Sequence, residues 1–239
     1  MTPKPFVLMD LDDTILDFKK AEARALSRSL TELGVPHDDG VLEHYNVLNL
    51  QYWERLENGE ITRDQVLLGR FVQLLHEMNA DADPAALRDR YEHNLSQGHY
   101  FVEGAEELLE TLSPVCRLFL VSNGTAVVQQ GRLKSAGISG FFERIFISQE
   151  LGANKPEKEF FERCFAQIPG FDRQRAIIVG DSLTSDIRGG INAGITTCWF
   201  NLRQKKPRAD IVPDYRIDAL SELPPLLTRL YGVSYRRAD

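Results

Sequence analysis

Phe6-Val7-Leu8-Met9-Asp10-Leu11-Asp12-Asp13-Thr14 decides how this chain is read. The apolar run Phe6–Met9 is short, continuous and free of alternation, the pattern of a strand buried on both faces of a parallel sheet. It runs straight into two carboxylates, Asp10 and Asp12. Residues two apart on a strand point the same way, so both acids can face one reacting centre. In an open α/β sheet, the C-terminal strand tips are where ligands bind. Two like charges that close need a cation between them, or one must hold a proton. A divalent metal with an anionic substrate would meet that need.

Outward from this strand, the pattern splits in two. From Phe18 to Tyr100 the chain has helical periodicity and no convincing strand. Ala21, Ala25, Leu26, Leu30 and Leu33 line one helix face that stops at Gly34. A second helix covers Val41 to Leu56, and Asn58-Gly59 breaks it. Thr62 with Gln65 makes a capping box for a third, and Asp83 followed by Pro84 opens a fourth. From Val102 on, helices alternate with apolar strands at Leu118–Val121, Ile145–Ile147, Ala176–Val179 and Thr196–Phe200. Thr125 is read as the cap of one intervening helix and Pro156 as the opening of another. This rhythm predicts a doubly wound, Rossmann-like α/β parallel sheet with an all-helical insert after strand one. The expected division is a core of residues 1–17 and 101–239 and an insert of residues 18–100, with hinges near 15–18 and 98–103.

Composition bounds the function. With 239 residues, 43% of them hydrophobic, there is ample material for a sizeable core. A net charge of −7 argues against a nucleic-acid polymer or an anionic membrane as partner, but not against a small phosphorylated substrate beside a metal. Cys116, Cys164 and Cys198 are odd in number and lack metal-ligand spacing, so they read as reduced, buried residues of a cytoplasmic protein. Met1-Thr2-Pro3-Lys4-Pro5 leads into too few apolar residues for a signal peptide or a span. Tyr235-Arg236-Arg237, near the end, reads as a frayed, solvated tail.

Polar residues follow four of the apolar runs: Asp10 and Asp12; Ser122, Asn123 and Gly124; Lys155; and Asp181 with Asp186. A parallel sheet puts all C-terminal strand ends along one edge, so these groups can converge. Each is bland alone. Asp is a routine turn and cap residue, Ser122-Asn123-Gly124 a plain turn, and Lys155-Pro156 a solvated lysine before a helix.

Together, Asp-x-Asp-x-Thr, Ser-Asn-Gly, Lys-Pro and Gly-Asp-x-x-x-x-Asp, in that order from Asp10 to Asp186, resemble the haloacid dehalogenase-like hydrolase superfamily. The helical insert resembles that family's small helical cap. Three further segments resemble its pyrimidine 5′-nucleotidase branch: Asn58–Thr62 leading to Gly69-Arg70-Phe71, Gln129–Leu133, and Gly189–Trp199.

The resemblance implies a phosphomonoesterase acting on nucleoside 5′-monophosphates, pyrimidine or noncanonical, through an aspartyl-phosphate. Asp10 would be the nucleophile; a carboxylate is already ionised near neutral pH and needs no activating base. Mg²⁺ would be held by Asp10, Asp181 and the main-chain carbonyl of Asp12. The Asp12 side chain would serve as acid and then base, with Thr14 orienting it. Ser122, Asn123, Gly124 and their backbone N–H groups would bind phosphoryl oxygens, Lys155 would neutralise developing charge, and Asp186 would hold Lys155 or metal-bound water. Asp13 stands where the family often has a small residue and is read as local polarity. The expected partner is a small phosphorylated molecule, and the expected assembly a monomer or weak homodimer.

In the insert, Asn49, Trp53 and Arg70 are the candidate substrate contacts. Asn49 and Trp53 are four apart and share a helix face, so Trp53 could stack on a base while Asn49 bonds its edge. The packing reading is preferred for each, because large aromatics are mostly buried for packing. Phe18 has a similar balance. His37, His44, His76, His93 and His99 share no pattern, and Cys198 and Trp199 need only a core explanation. Rival functions on the same core are a sugar-phosphate or phosphoglycolate phosphatase, a phosphomutase, and a 2-haloacid dehalogenase. Asp12 and Asp181 count against the dehalogenase. From another class, a phospho-receiver module shares the first-strand acids and a later lysine but lacks the helical insert.

Overall fold

The structure is a computed structural model and describes residues 3–235; of the expected solvated tail, Tyr235 is half-buried, and Arg236 and Arg237 lie outside the described residues. In chain order, β1 (Phe6–Met9) is followed by four helices: α1 (Phe18–Glu32), α2 (Asp39–Glu57), α3 (Arg63–Glu77) and α4 (Pro84–Ser96). Next come α5 (Ala105–Leu112), β2 (Arg117–Ser122), α6 (Ala126–Ala136), β3 (Arg144–Ile147), α7 (Ser148–Leu151) and α8 (Lys158–Phe165). The chain closes with β4 (Ala176–Gly180), α9 (Arg188–Ala193), β5 (Thr196–Phe200), β6 (Tyr215–Ile217) and α10 (Leu223–Tyr231).

All six strands are parallel, in the order β3-β2-β1-β4-β5-β6. This is the doubly wound order. The strand sequence reverses between β1 and β4, and the crevice beyond such a reversal is where these folds bind ligands. Leu8 lies between Phe119 and Ile178 in register, and Met9 between Leu120 and Val179. The central strands are therefore apolar throughout. Phe6, Leu8, Phe119, Val121 and Ile178 pack with Phe160, Phe161, Cys164 and Phe165 of α8. Val7, Met9, Leu120 and Val179 alternate to the other face and are equally buried.

The chain divides into two compact units. One holds the sheet and comprises the chain up to Asp17, Phe101–Ala126 and everything from Gly137 on. The other is all-helical and comprises Phe18–Tyr100 with Val127–Ala136. Its core is built from Leu26, Leu30, Tyr45, Leu48, Phe71, Leu74, Tyr91 and Leu95, joined by Val128 of α6. Asp38, the Thr62–Gln65 box and Asp83 cap α2, α3 and α4.

Three details depart from the sequence reading. Most of α6, Val127–Ala136, belongs to the helical unit. Gly131 allows this, because a Cβ there would stand 2.8 Å from Ser96 Cβ and 2.9 Å from its carbonyl oxygen. Pro156 does not open α8, which starts at Lys158 with Glu157 as N-cap, after a cis Lys155–Pro156 peptide. Finally, β6 and α10 were not anticipated. β6 is three residues long, and Pro224-Pro225 looks like a breaker although proline is tolerated in a first helical turn.

Candidate active site

Asp10 follows β1 directly, and its N–H extends the β1–β4 ladder to Val179 O at 3.0 Å. The chain then turns sharply. The N–H groups of Ile15 and Leu16 both reach Leu11 O at 2.9 Å. This turn brings Thr14, fully buried, back beneath Asp10, where its hydroxyl donates to Asp10 Oδ2 at 3.4 Å. The reading from sequence gave Thr14 the task of orienting Asp12. The tight turn points it at Asp10 instead. Asp12 is half-buried.

Lys155 is the hub. Its Nζ donates to Asp10 Oδ1 at 2.6 Å, to Asp186 Oδ1 at 2.7 Å and to the carbonyl of Val121 at 2.9 Å. Three acceptors satisfy all three ammonium protons. Burial works against the charge of Lys155, but Asp10 and Asp186 more than offset it, so its pKa stands above the ordinary lysine value. The backbone of Lys155 is fixed from β2. Asn123 accepts its N–H and donates to its carbonyl, both at 2.8 Å. Asn123 thus clips the Lys155 loop to the strand tip. At the same tip, the Ser122 hydroxyl accepts the N–H of Gly124 at 3.1 Å.

Asp186 sits in a single π-helical turn, Leu183–Ile187. Its Oδ2 accepts the N–H of Ser182 at 3.1 Å. Gly180 makes room for it, since a Cβ there would fall 2.3 Å from Asp186 Cγ. Asp181, at the tip of β4, has its carbonyl held by the indole N–H of buried Trp199 at 3.0 Å. Trp199 therefore does more than fill the core.

Asp10, Asp181 and Asp186 each offer a carboxylate oxygen, and these lie within 4.8 Å of one another. Burial pushes the pKa of Asp10 well above the usual carboxylate range, with Lys155 opposing. Burial also raises Asp181 to about 6, against Lys205 and with Asp13 and Asp186 adding to the rise. An all-oxygen donor set that is costly to ionise suits a hard divalent cation. The residues present therefore fit Mg²⁺, as the sequence led one to expect. Asp186 lies in this cluster and also bonds Lys155, the group it was expected to hold.

The sequence reading missed the segment after β5. Asn201, buried at the end of that strand, accepts the N–H of Lys205 at 2.8 Å and donates to its carbonyl at 3.0 Å. The side chain of Lys205 reaches Asp181 Oδ2 at 2.5 Å. Arg203 donates to Asp13 at 2.7 Å and to Asp17 at 3.2 Å. The available signal was a cluster of cations, Arg203-Gln204-Lys205-Lys206-Pro207-Arg208, immediately beyond a strand tip on the acidic edge.

In the helical unit, Asn49 and Arg70 are buried and bonded to each other. Asn49 also donates to buried Glu22 at 2.6 Å, and the Arg70 guanidinium lies over the rings of Phe71 and Tyr91. Trp53 is half-buried, with the Arg63 guanidinium 5.7 Å from its ring centroid. Arg132 of α6 is fully buried, donating to Gly98 O and Gln129 Oε1.

With this geometry in place, comparison with known proteins is decisive. The sequence profile of the haloacid dehalogenase-like hydrolases matches residues 7–200. The chain belongs to that family. It is 41% identical over 217 residues to YfnB of Bacillus subtilis, named as a HAD-hydrolase, covering 91% of this chain and 92% of that one. The crystal structure of YfnB bound to magnesium superposes with a TM-score of 0.90 at 40% identity, covering 94% and 98% of the two chains. The pyrimidine 5′-nucleotidase PynA of Streptococcus pneumoniae is 35% identical, covering 91% of this chain and 92% of its own. The pyrimidine 5′-nucleotidase YjjG of Escherichia coli is 30% identical, covering 94% and 98%. This family member is thus a hydrolase of the branch that includes those nucleotidases. No helix among the described residues is long and apolar enough to cross a membrane.

Proposed function

We propose that the chain is a Mg²⁺-dependent phosphomonoesterase of nucleoside 5′-monophosphates, with pyrimidine nucleotides preferred. The observation that carries this reading is the buried Lys155 ammonium shared by Asp10 and Asp186 beside Asp181. The likeness to PynA and YjjG supplies the substrate class.

An oxygen of the Asp10 carboxylate attacks phosphorus, and the bond from phosphorus to the ribose 5′ oxygen breaks. The Asp12 carboxyl gives its proton to that departing oxygen. Water then attacks phosphorus in the aspartyl-phosphate, Asp12 takes a proton from it, and phosphate leaves with Asp10 restored. Lys155 offsets charge that grows on the phosphoryl oxygens, while Ser122 and the N–H groups of Asn123 and Gly124 bind them. Bound at Asp10, Asp181 and the main-chain carbonyl of Asp12, Mg²⁺ would cancel the repulsion between nucleophile and phosphate. A dehalogenase would have no use for Asp12 as an acid. Asn49, Trp53 and Arg70 are the proposed source of base preference, Asn49 and Arg70 through the side-chain network that fixes them.

A panel of phosphate esters ranked by kcat/KM tests the reading. Pyrimidine nucleoside monophosphates are expected to outrank sugar phosphates and phosphoglycolate, with turnover abolished by EDTA and restored by Mg²⁺. Sugar phosphates at the head of the ranking would move the substrate class. Metal-independent release of chloride from chloroacetate would replace the reaction.

A further inference from the structure

We propose that Lys205 competes with the divalent cation for Asp181, acting as a displaceable counter-cation. The inference rests on the reading of Asp181 as a metal ligand and adds a residue that this reading does not require.

Two lysines serve the acidic cluster, and their settings differ. Lys155 is 1% exposed, with its ammonium donating to Asp10, Asp186 and Val121 O. No outward path is open to it without leaving Asp10 and Asp186 as unpaired buried charges. Lys205 is bonded to Asp181. Its side chain is 44% exposed, whereas that of its partner Asp181 is only 16% exposed. Its ammonium is in water's reach and can leave Asp181 for solvent by rotation of a flexible four-carbon stem.

The placement of Lys205 is nevertheless built. Asn201 is 1% exposed and follows β5, and its own N–H is fixed to Ile217 O of β6 at 2.8 Å. Its side-chain amide clasps both backbone groups of Lys205. The Cα of Lys205 is thereby pinned to the sheet edge, one side-chain length from Asp181. Arg203, two residues earlier, is engaged with Asp13 and Asp17. Arg203 and Lys205 therefore divide these acids between them, and Asp181 falls to the lysine. Lysine suits the task, since its ammonium is a compact point charge that is readily rehydrated, whereas a guanidinium forks onto a carboxylate. A cation that takes Asp181 Oδ2 must displace Nζ from 2.5 Å, and any Lys⁺ left nearby repels it.

The test is a calorimetric titration of the full chain with Mg²⁺ alone, no nucleotide present. The Lys205→Met variant removes the competing charge from a half-exposed position and leaves the fold intact. It is expected to bind Mg²⁺ about two- to fivefold more tightly than wild type, the range set by the modest strength of partly exposed ion pairs. Lys205→Arg keeps the charge and is expected to bind no more tightly than wild type. Equal or weaker binding by Lys205→Met overturns the proposal, because a lysine that merely orients Asp181 for the metal would loosen binding when removed. Asp181→Asn separates the two levels. If it binds Mg²⁺ as wild type does, the reading of Asp181 as a ligand fails, whatever Lys205 does.

Discussion

At the scale of single residues, the site is an exercise in placing charge where water cannot help. Lys155 stands among Asp10, Asp186 and Val121 O with almost no exposure. Pairs of this kind gain little over a well-packed apolar core, but breaking one partner strands the others. Lys155→Met therefore has two expected effects. Turnover falls by about 10²–10³, the cost of removing one preorganised charge-stabilising donor. Denaturation by urea also comes earlier, because Asp10 and Asp186 lose their common cation. Activity within tenfold of wild type in steady-state assays would remove Lys155 from the reaction. Thr14 is the quieter case. Its hydroxyl donates to Asp10, so it restrains the carboxylate proposed as nucleophile.

At the scale of elements, close approach decides which helix can sit where. α9 carries Gly189-Gly190. A Cβ at Gly190 would stand 2.5 Å from Ile178 Cγ2 and 2.6 Å from Thr197 Cγ2, and one at Gly189 would stand 2.5 Å from the ring of Phe161. Gly190→Ala is expected to cost about 1–3 kcal/mol through overpacking against β4 and β5. Urea unfolding checks this; an unchanged midpoint would mean the helix can lift away freely. The strands and their tips were legible in the sequence, because Phe6–Met9, Leu118–Val121 and Ala176–Val179 are apolar without alternation and end on polar residues. Two helical starts were legible too, since Thr62 and Asp83 act through local bonds, whereas α2, expected from Val41, starts at Asp39 behind its cap Asp38. What stayed hidden was non-local. The need for Gly131 in α6 shows only once Ser96 is found against it. Pro156 reads as a first helical residue until its cis peptide is seen. Lys205 and Asp181 are far apart in sequence, and only the β4–β5 pairing joins them.

At the scale of the whole molecule, a doubly wound sheet gathers at one edge what the sequence scatters from Asp10 to Lys205. The reversal of strand order between β1 and β4 sets Asp10 and Asp181 side by side, and the β2, β4 and β5 tips bring Asn123, Asp186 and Lys205 to them. The sheet thereby fixes the reaction, and the proposed nucleotide preference belongs to the helical unit. The central claim is that the phosphoryl group passes through Asp10. Rapid mixing with a ³²P-labelled pyrimidine nucleoside monophosphate and Mg²⁺, acid quenching and peptide mapping test this directly. Hydroxylamine-labile label is expected on the peptide that carries Asp10. Label on any other residue, or equal label in the Asp10→Ala variant, would contradict it.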